Sequence, residues 1–181
     1  RAVCLDPKRP FCYIGTISGN IIVYNLKTKK VLQIIKNHHS ESITTICSDS
    51  SGKHIITGGN DGKAIIWNLS TNSKTCLETV SVDGSFINDI IVFSINTHDK
   101  IAVACDQSIL IFDLASGQLL QQFSNQGVTA RCMMYNSKCL YVGDDGENSK
   151  SAVIKRFPIR FNAPKLPINY LNLPISSYDL S

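Results

Sequence analysis

The chain has 181 residues, 43% of them apolar, and 18 Lys and Arg against 14 Asp and Glu give a formal net charge of +4. A balance this mild lacks the dense basic footprint of a dedicated nucleic-acid binder, and no run of about 18 apolar residues offers a membrane span. The seven cysteines are odd in number and show no disulfide-like spacing, so an intracellular, reducing setting is expected, cytoplasmic or nuclear.

The first unit, 1–36, opens with VCLDPKRPFCYIGT from Val3 and closes on IIVYNL around Tyr24. The second, 39–80, reads as four short strands: Ile43 to Ser48, His54 to Gly58, Ala64 to Leu69 and Thr75 to Val80. Ser50-Ser51-Gly52 turns between the first two. Asn60-Asp61-Gly62 is a tight hairpin, because these residues tolerate the positive φ that such turns need. The third unit, 84–123, carries IIVFSINTHDKIAVA from Ile90 and ILIFDL around Phe112. The fourth, 128–161, has AVIKRF with Lys155 in the place of the aromatic and a longer hairpin, GDDGENSKS. Its outer strand is expected in 165–173. Residues 162–181 contain prolines and end in ISSYDLS, which is similar to ITTICSD at the start of the second unit. That likeness predicts that the segment leads into a fifth unit.

Tyr24, Trp67, Phe112 and Lys155 stand 43, 45 and 43 residues apart. A period of about 40–45 residues with four strands per unit predicts an all-β fold, a β-propeller with four blades present. The middle strands are nearly continuous Ile, Val and Ala, as suits sheets covered on both faces by neighbouring blades.

The second unit resembles a complete WD repeat. His39 lies four residues before Ile43, Thr57 four before Asp61, and Asp61 six before Trp67. The resemblance implies that His39, Thr57, Asp61 and Trp67 form a buried hydrogen-bonded tetrad, in which each polar group satisfies another. As a repeat pattern it covers about residues 1–160; it is highly specific over 39–69. The other units depart from it. Ile14 and Ser18 replace the Thr and Asp in the first, Gly84 and Ala102 replace the His and Thr in the third, and Lys155 replaces the Trp in the fourth. WD propellers mostly close with about seven blades, which protects sheet edges. Both ends read as cut, so the expectation is a piece of a seven-bladed ring. The alternative is a half-propeller completed by another chain or by a second copy; a closed four-blade ring is the least expected.

His39, Thr57 and Asp61 could be read as a hydrolase triad, but the tetrad explains the same residues and spacings. There is no Gly-x-Ser-x-Gly elbow and no His-Glu-x-x-His. His38-His39 has no further ligands at metal-binding spacing. No catalytic, cofactor-binding or metal residue is therefore assigned. Asp144, Asp145 and Glu147 form a carboxylate-rich hairpin without calcium-loop spacing and are candidates for a recognition loop. The family geometry implies that Ile17, Asn60 and Cys105 face the rim where partners dock. Lys27, Lys29 and Lys30, and Lys155, Arg156 and Arg160, are two basic groups read first as solvated surface. The lipid-binding Phe-Arg-Arg-Gly motif is absent from the sequence.

The function expected from these residues is a non-catalytic protein–protein interaction scaffold in a multi-protein complex. Its partners are other proteins, with the remaining blades supplied in cis or by a completing chain in trans. The alternatives are a regulatory or substrate-docking domain of a larger enzyme of kinase or ubiquitin-ligase type, and an RNA- or ribosome-precursor-associated propeller.

Overall fold

The structure, a computed structural model, describes residues 2–36, 39–69, 73–77, 86–106, 108–124, 129–136, 138–144, 153–159 and 177–179, with backbone only for 73–77, 144, 153 and 177–179. These residues form four sheets of four antiparallel strands, each a meander in chain order. The first holds β1 (Ala2–Leu5), β2 (Phe11–Gly15), β3 (Ile21–Asn25) and β4 (Lys30–Ile35). The second holds β5 (Ile43–Ser48), β6 (His54–Gly59), β7 (Ala64–Asn68) and β8 (Ser73–Leu77). The third holds β9 (Ile87–Ile95), β10 (His98–Cys105), β11 (Ser108–Asp113) and β12 (Leu119–Ser124). The fourth holds β13 (Ala130–Asn136), β14 (Cys139–Asp144), β15 (Val153–Pro158) and β16 (Ser177–Asp179).

The first strands of successive sheets pack on one another, β1 on β5, β5 on β9 and β9 on β13. They do so in phase with the repeat. Cys4 Sγ lies 3.3 Å from Ser48 Oγ, Thr44 Oγ1 donates to the Ile87 carbonyl at 2.5 Å, and Asp89 accepts the Met133 amide at 2.7 Å. Each of these bonds joins residues 43 or 44 apart, so the inner strands run parallel at matching heights.

Three apolar layers fill the gaps between the four sheets. Tyr13, Ile21 and Val23 of the first sheet pack with Ile46, Ile65 and Trp67 of the second. Ile56 and Ile66 of the second pack with Ile101, Val103 and Phe112 of the third. Ala102, Ile109 and Ile111 of the third pack with Leu140, Val142 and Phe157 of the fourth. The strands buried on both faces are the ones with unbroken apolar runs, such as Ala64–Trp67. The outer strand β4 is exposed along most of its length.

The structure departs from the sequence reading at two outer strands. In the second sheet, Asn68 pairs with Ser73. The connection is therefore only residues 69–72, and β8 starts two residues before the expected Thr75. In the fourth sheet, the outer strand is Ser177–Asp179, with Ile154 opposite Tyr178. The end of the chain thus completes the fourth blade rather than opening a fifth. Its likeness to ITTICSD is a short Ser/Thr-rich alternation, which an outer edge accepts as readily as an inner strand. The expected outer strand in 165–173 lies outside the described residues.

Candidate interaction surfaces and the structural tetrad

The β6–β7 hairpin positions the tetrad. Gly62 supplies φ 72 at the turn, and Gly19 supplies φ 73 at the same repeat position of the β2–β3 hairpin. The turn holds Asp61 over the end of β6, facing the segment that leads into β5. Trp67 Nε1 donates to Thr57 Oγ1 at 3.0 Å. Thr57 Oγ1 lies 2.8 Å from His39 Nε2, and His39 Nδ1 lies 2.9 Å from Asp61 Oδ1. The chemistry of the ends sets the direction. An indole only donates and a carboxylate only accepts, so the Thr57 hydroxyl donates to Nε2 and Nδ1–H donates to Asp61. Asp61 also accepts the amides of Ser40 at 3.0 Å and Lys63 at 3.2 Å. Burial pushes the Asp61 carboxyl up, but these bonds, His39 foremost, bring it below its ordinary value. Every polar atom of this constellation is engaged in bracing the blade, which leaves no free base and nucleophile pair. Gly59 belongs to the same arrangement: a Cβ there would sit 2.7 Å from both Asp61 Oδ1 and His39 Nδ1.

The third blade holds a partial substitute. Asp106 accepts the Asn88 side-chain amide at 3.0 Å and the Phe86 amide at 3.2 Å. Asn88 was not singled out from sequence, because it stands inside the strand rather than ahead of it. A second repeating device was also missed. Asp6 and Asp49, 43 residues apart, are both buried at the turn after an inner strand. Asp6 accepts from Tyr13 Oη at 2.7 Å and Arg9 Nε at 2.8 Å, and Arg9 also donates to the Gly52 carbonyl of the next blade at 2.9 Å. Burial raises the Asp6 carboxyl, but the bonds from Arg9, Tyr13 and two backbone amides hold it below the usual range. Asp49 accepts the His54 amide and the Ser51 hydroxyl at 2.9 and 2.5 Å. The 43-residue recurrence of the Asp was the available signal.

The three rim candidates do not share one environment. Ile17 is 69% exposed, on the β2–β3 hairpin. Asn60 is half-buried in the β6–β7 turn, its amide bonded to the Ser42 carbonyl. Cys105 is 2% exposed and lies within the apolar layer between the second and third sheets. It is therefore not a partner-facing residue. β10 stays paired one residue further than β6, with Cys105 opposite Ile87 after an irregularity at Ala104. That extra ladder position turns the side chain inward, and burial pushes its thiol up to about 11. Asp144 ends β14, paired with Val153; Asp145 and Glu147 lie outside the described residues. Lys27, Lys29 and Lys30 are exposed around the β3–β4 turn. Lys155 and Arg156 lie on β15, and Arg160 and His38 are outside the described residues. The six described cysteines are free thiols. Among the described residues, no helix is long and apolar enough to cross a membrane.

Four radially stacked meanders braced by a buried His–Thr–Asp–Trp chain define a β-propeller architecture. A family model for the WD domain, G-beta repeat, matches residues 29–68. The chain is 27% identical over 145 residues to the pre-rRNA-processing protein IPI3 of Candida albicans, covering 71% of this chain and 28% of that protein. It is 23% identical over 129 residues to the WD repeat domain-containing protein 83 homolog of Dictyostelium discoideum, covering 70% and 37%. The chain thus spans well under half the length of these relatives. Among solved structures, the crystal structure of the computationally designed Ika4 protein matches with a TM-score of 0.68 at 21% identity, covering 88% of this chain and 90% of that one; this likeness concerns the fold alone. Residues 29–68 thus match a WD repeat, and relatives similar over most of the chain include proteins named for WD repeats.

Proposed function

We propose that this chain is a non-catalytic protein–protein interaction scaffold, made of blades of a larger propeller and working in a multi-protein complex of the cytoplasm or nucleus. One observation carries the reading: the leading face of the first sheet is an apolar surface built to be covered. Val3, Ile14, Ile22 and Ile34 stand in register across all four strands, with Val3 65% exposed. Leu5, beside them, is 62% exposed. Counted on by 43 residues, Val3, Cys12, Ile22 and Tyr24 become Ile46, Ile55, Ile65 and Trp67, all buried beneath the first sheet. The repeat itself therefore indicates the kind of cover: the face of another β-sheet, supplied in cis or by a partner in trans. A cover in cis makes this face a seam between blades of one ring, and a cover in trans makes it an association site. Gentle extraction of the whole protein followed by size-exclusion chromatography tests the reading. Elution within a larger assembly is expected; the intact protein running alone as a single monomeric species would oppose it.

A second, narrower reading is favoured by the likeness to a pre-rRNA-processing protein. In it the scaffold serves an assembly that handles ribosome precursors. Sedimentation of the tagged protein with precursor particles is expected; its absence from every particle fraction would exclude this reading.

A further inference from the structure

The meander sorts the turns onto two rims. Strands one and three of each blade run the same way, so the turns after them share one rim. The turns after strand two and the links between blades share the other. The inner strands stack in parallel register, so the sorting holds from blade to blade. The Arg9 contact to the Gly52 carbonyl joins two such turns directly.

Charge follows this division. The first rim carries Lys8, Lys27, Lys29, Lys30, Lys53 and Lys138, all exposed. None of the six is in a salt bridge among the described residues. Four acids share that rim: Asp6 and Asp49 are buried and bonded to Arg9 and His54, while Asp99 and Asp113 are half-buried, the first bonded to Ser94 and the second paired with Lys100. On the opposite rim the described lysines are only Lys36 and Lys63; Glu41 is exposed there, Asp61 is engaged in the tetrad and Asp106 is bonded to Asn88. A chain of mild net charge thus presents one strongly positive rim.

We infer that this lysine rim is a binding surface for the phosphodiester backbone of RNA. The inference rests on the second reading above for its biological setting, and on charge placement for its physics. The cations are flexible point charges distributed over three blades rather than gathered in a pocket, which suits an extended polyanion with regularly spaced charge. A backbone reader of this kind binds by releasing counterions and is indifferent to base sequence. Neutralising four to six phosphates on a single strand gives a slope of about −3 to −4 in log affinity against log salt.

The test uses the whole purified protein and a fluorescein-labelled 20-nucleotide poly(U), with binding read as anisotropy between 50 and 300 mM salt. Two charge-matched variants are compared, K27E/K53E on the lysine rim and K36E/K63E on the opposite rim. All four lysine side chains are solvent-facing or outside any described ion pair, and equal melting temperatures check that both variants fold. The expected result is at least a tenfold loss at 100 mM salt and a shallower salt slope for K27E/K53E, with K36E/K63E within about twofold of the parent. Equal losses in the two variants would mean that binding follows net charge, and would overturn the site. So would a flat salt dependence of the parent. Displacement of the RNA by poly-glutamate at equal charge concentration would also overturn it, in favour of an acidic protein partner. Particle sedimentation of K27E/K53E separates the two ideas: loss of poly(U) binding with retained sedimentation supports the RNA site and leaves the assembly reading standing on other contacts.

Discussion

Thr57→Val is the sharpest perturbation of the tetrad. The side chain keeps its volume and loses only the hydroxyl at the centre of the relay. Thr57 is 0% exposed, so no water reaches the groups that it abandons. The Trp67 indole N–H and the His39 Nε2 would each lose their partner, at 3.0 and 2.8 Å respectively. A buried polar group left unsatisfied costs about 1–3 kcal/mol, so the two together cost about 2–6 kcal/mol. Against a typical domain stability of about 5–15 kcal/mol that is a large fraction. Urea unfolding followed by fluorescence reads it well, because Trp67 is the chain's single Trp and reports on the blade that carries the tetrad. Thr57→Ser, which keeps the hydroxyl and loses one buried methyl, is expected to cost no more than about 1.5 kcal/mol. A Thr57→Val midpoint within about 0.5 kcal/mol of the parent, or a larger loss for Thr57→Ser, would refute the relay.

Gly59→Ala places a methyl against Asp61 Oδ1 and His39 Nδ1 and is expected to destabilise the blade by about 1–3 kcal/mol; an unchanged urea midpoint would contradict the packing described. The Asp113 carboxyl is pushed up by burial but held down, chiefly by Lys100, to about 2. A group depressed in the folded state contributes stability above its unfolded value, and that contribution fades as pH falls toward the folded one. Melting temperature should therefore decline between about pH 4 and 2 through this pair, and Lys100→Met should flatten that decline; an identical pH profile in the variant would remove the assignment. Cys132 is exposed whereas Cys105 is buried with its thiol pushed up to about 11. A thiol reagent at pH 8 is expected to label Cys132 in the folded protein and Cys105 only in denaturant, as peptide mapping would show.

What the sequence disclosed follows from what each element must satisfy. Inner and middle strands are covered on both faces, so their apolar runs and turns recur in phase and were legible. The tetrad residues were legible because all four lie within one unit at fixed spacing. Outer strands obey no such constraint: they pair on one side and face solvent, so the sequence pattern puts β8 two residues late and makes β16 resemble the start of another unit. The burial of Cys105 is not legible, because a one-residue extension of a β ladder leaves no trace in composition. The lysine rim is only partly legible, as the cluster Lys27, Lys29 and Lys30, for a different reason. Lys8, Lys53 and Lys138 are scattered along the chain, interleaved with acids, and only the alternation of strand direction sorts them to one side with that cluster.

The central claim is that the leading face of the first sheet is covered by another β-sheet, and a photo-crosslinking residue at position 3 tests it most directly. Val3 is the most exposed member of the apolar row. Introduced there in the whole protein within its native cells, a crosslinker read out by mass spectrometry is expected to join a β-strand segment, either elsewhere in the same polypeptide or in a partner. Quenching by water alone, with no crosslinked peptide recovered, would contradict the account.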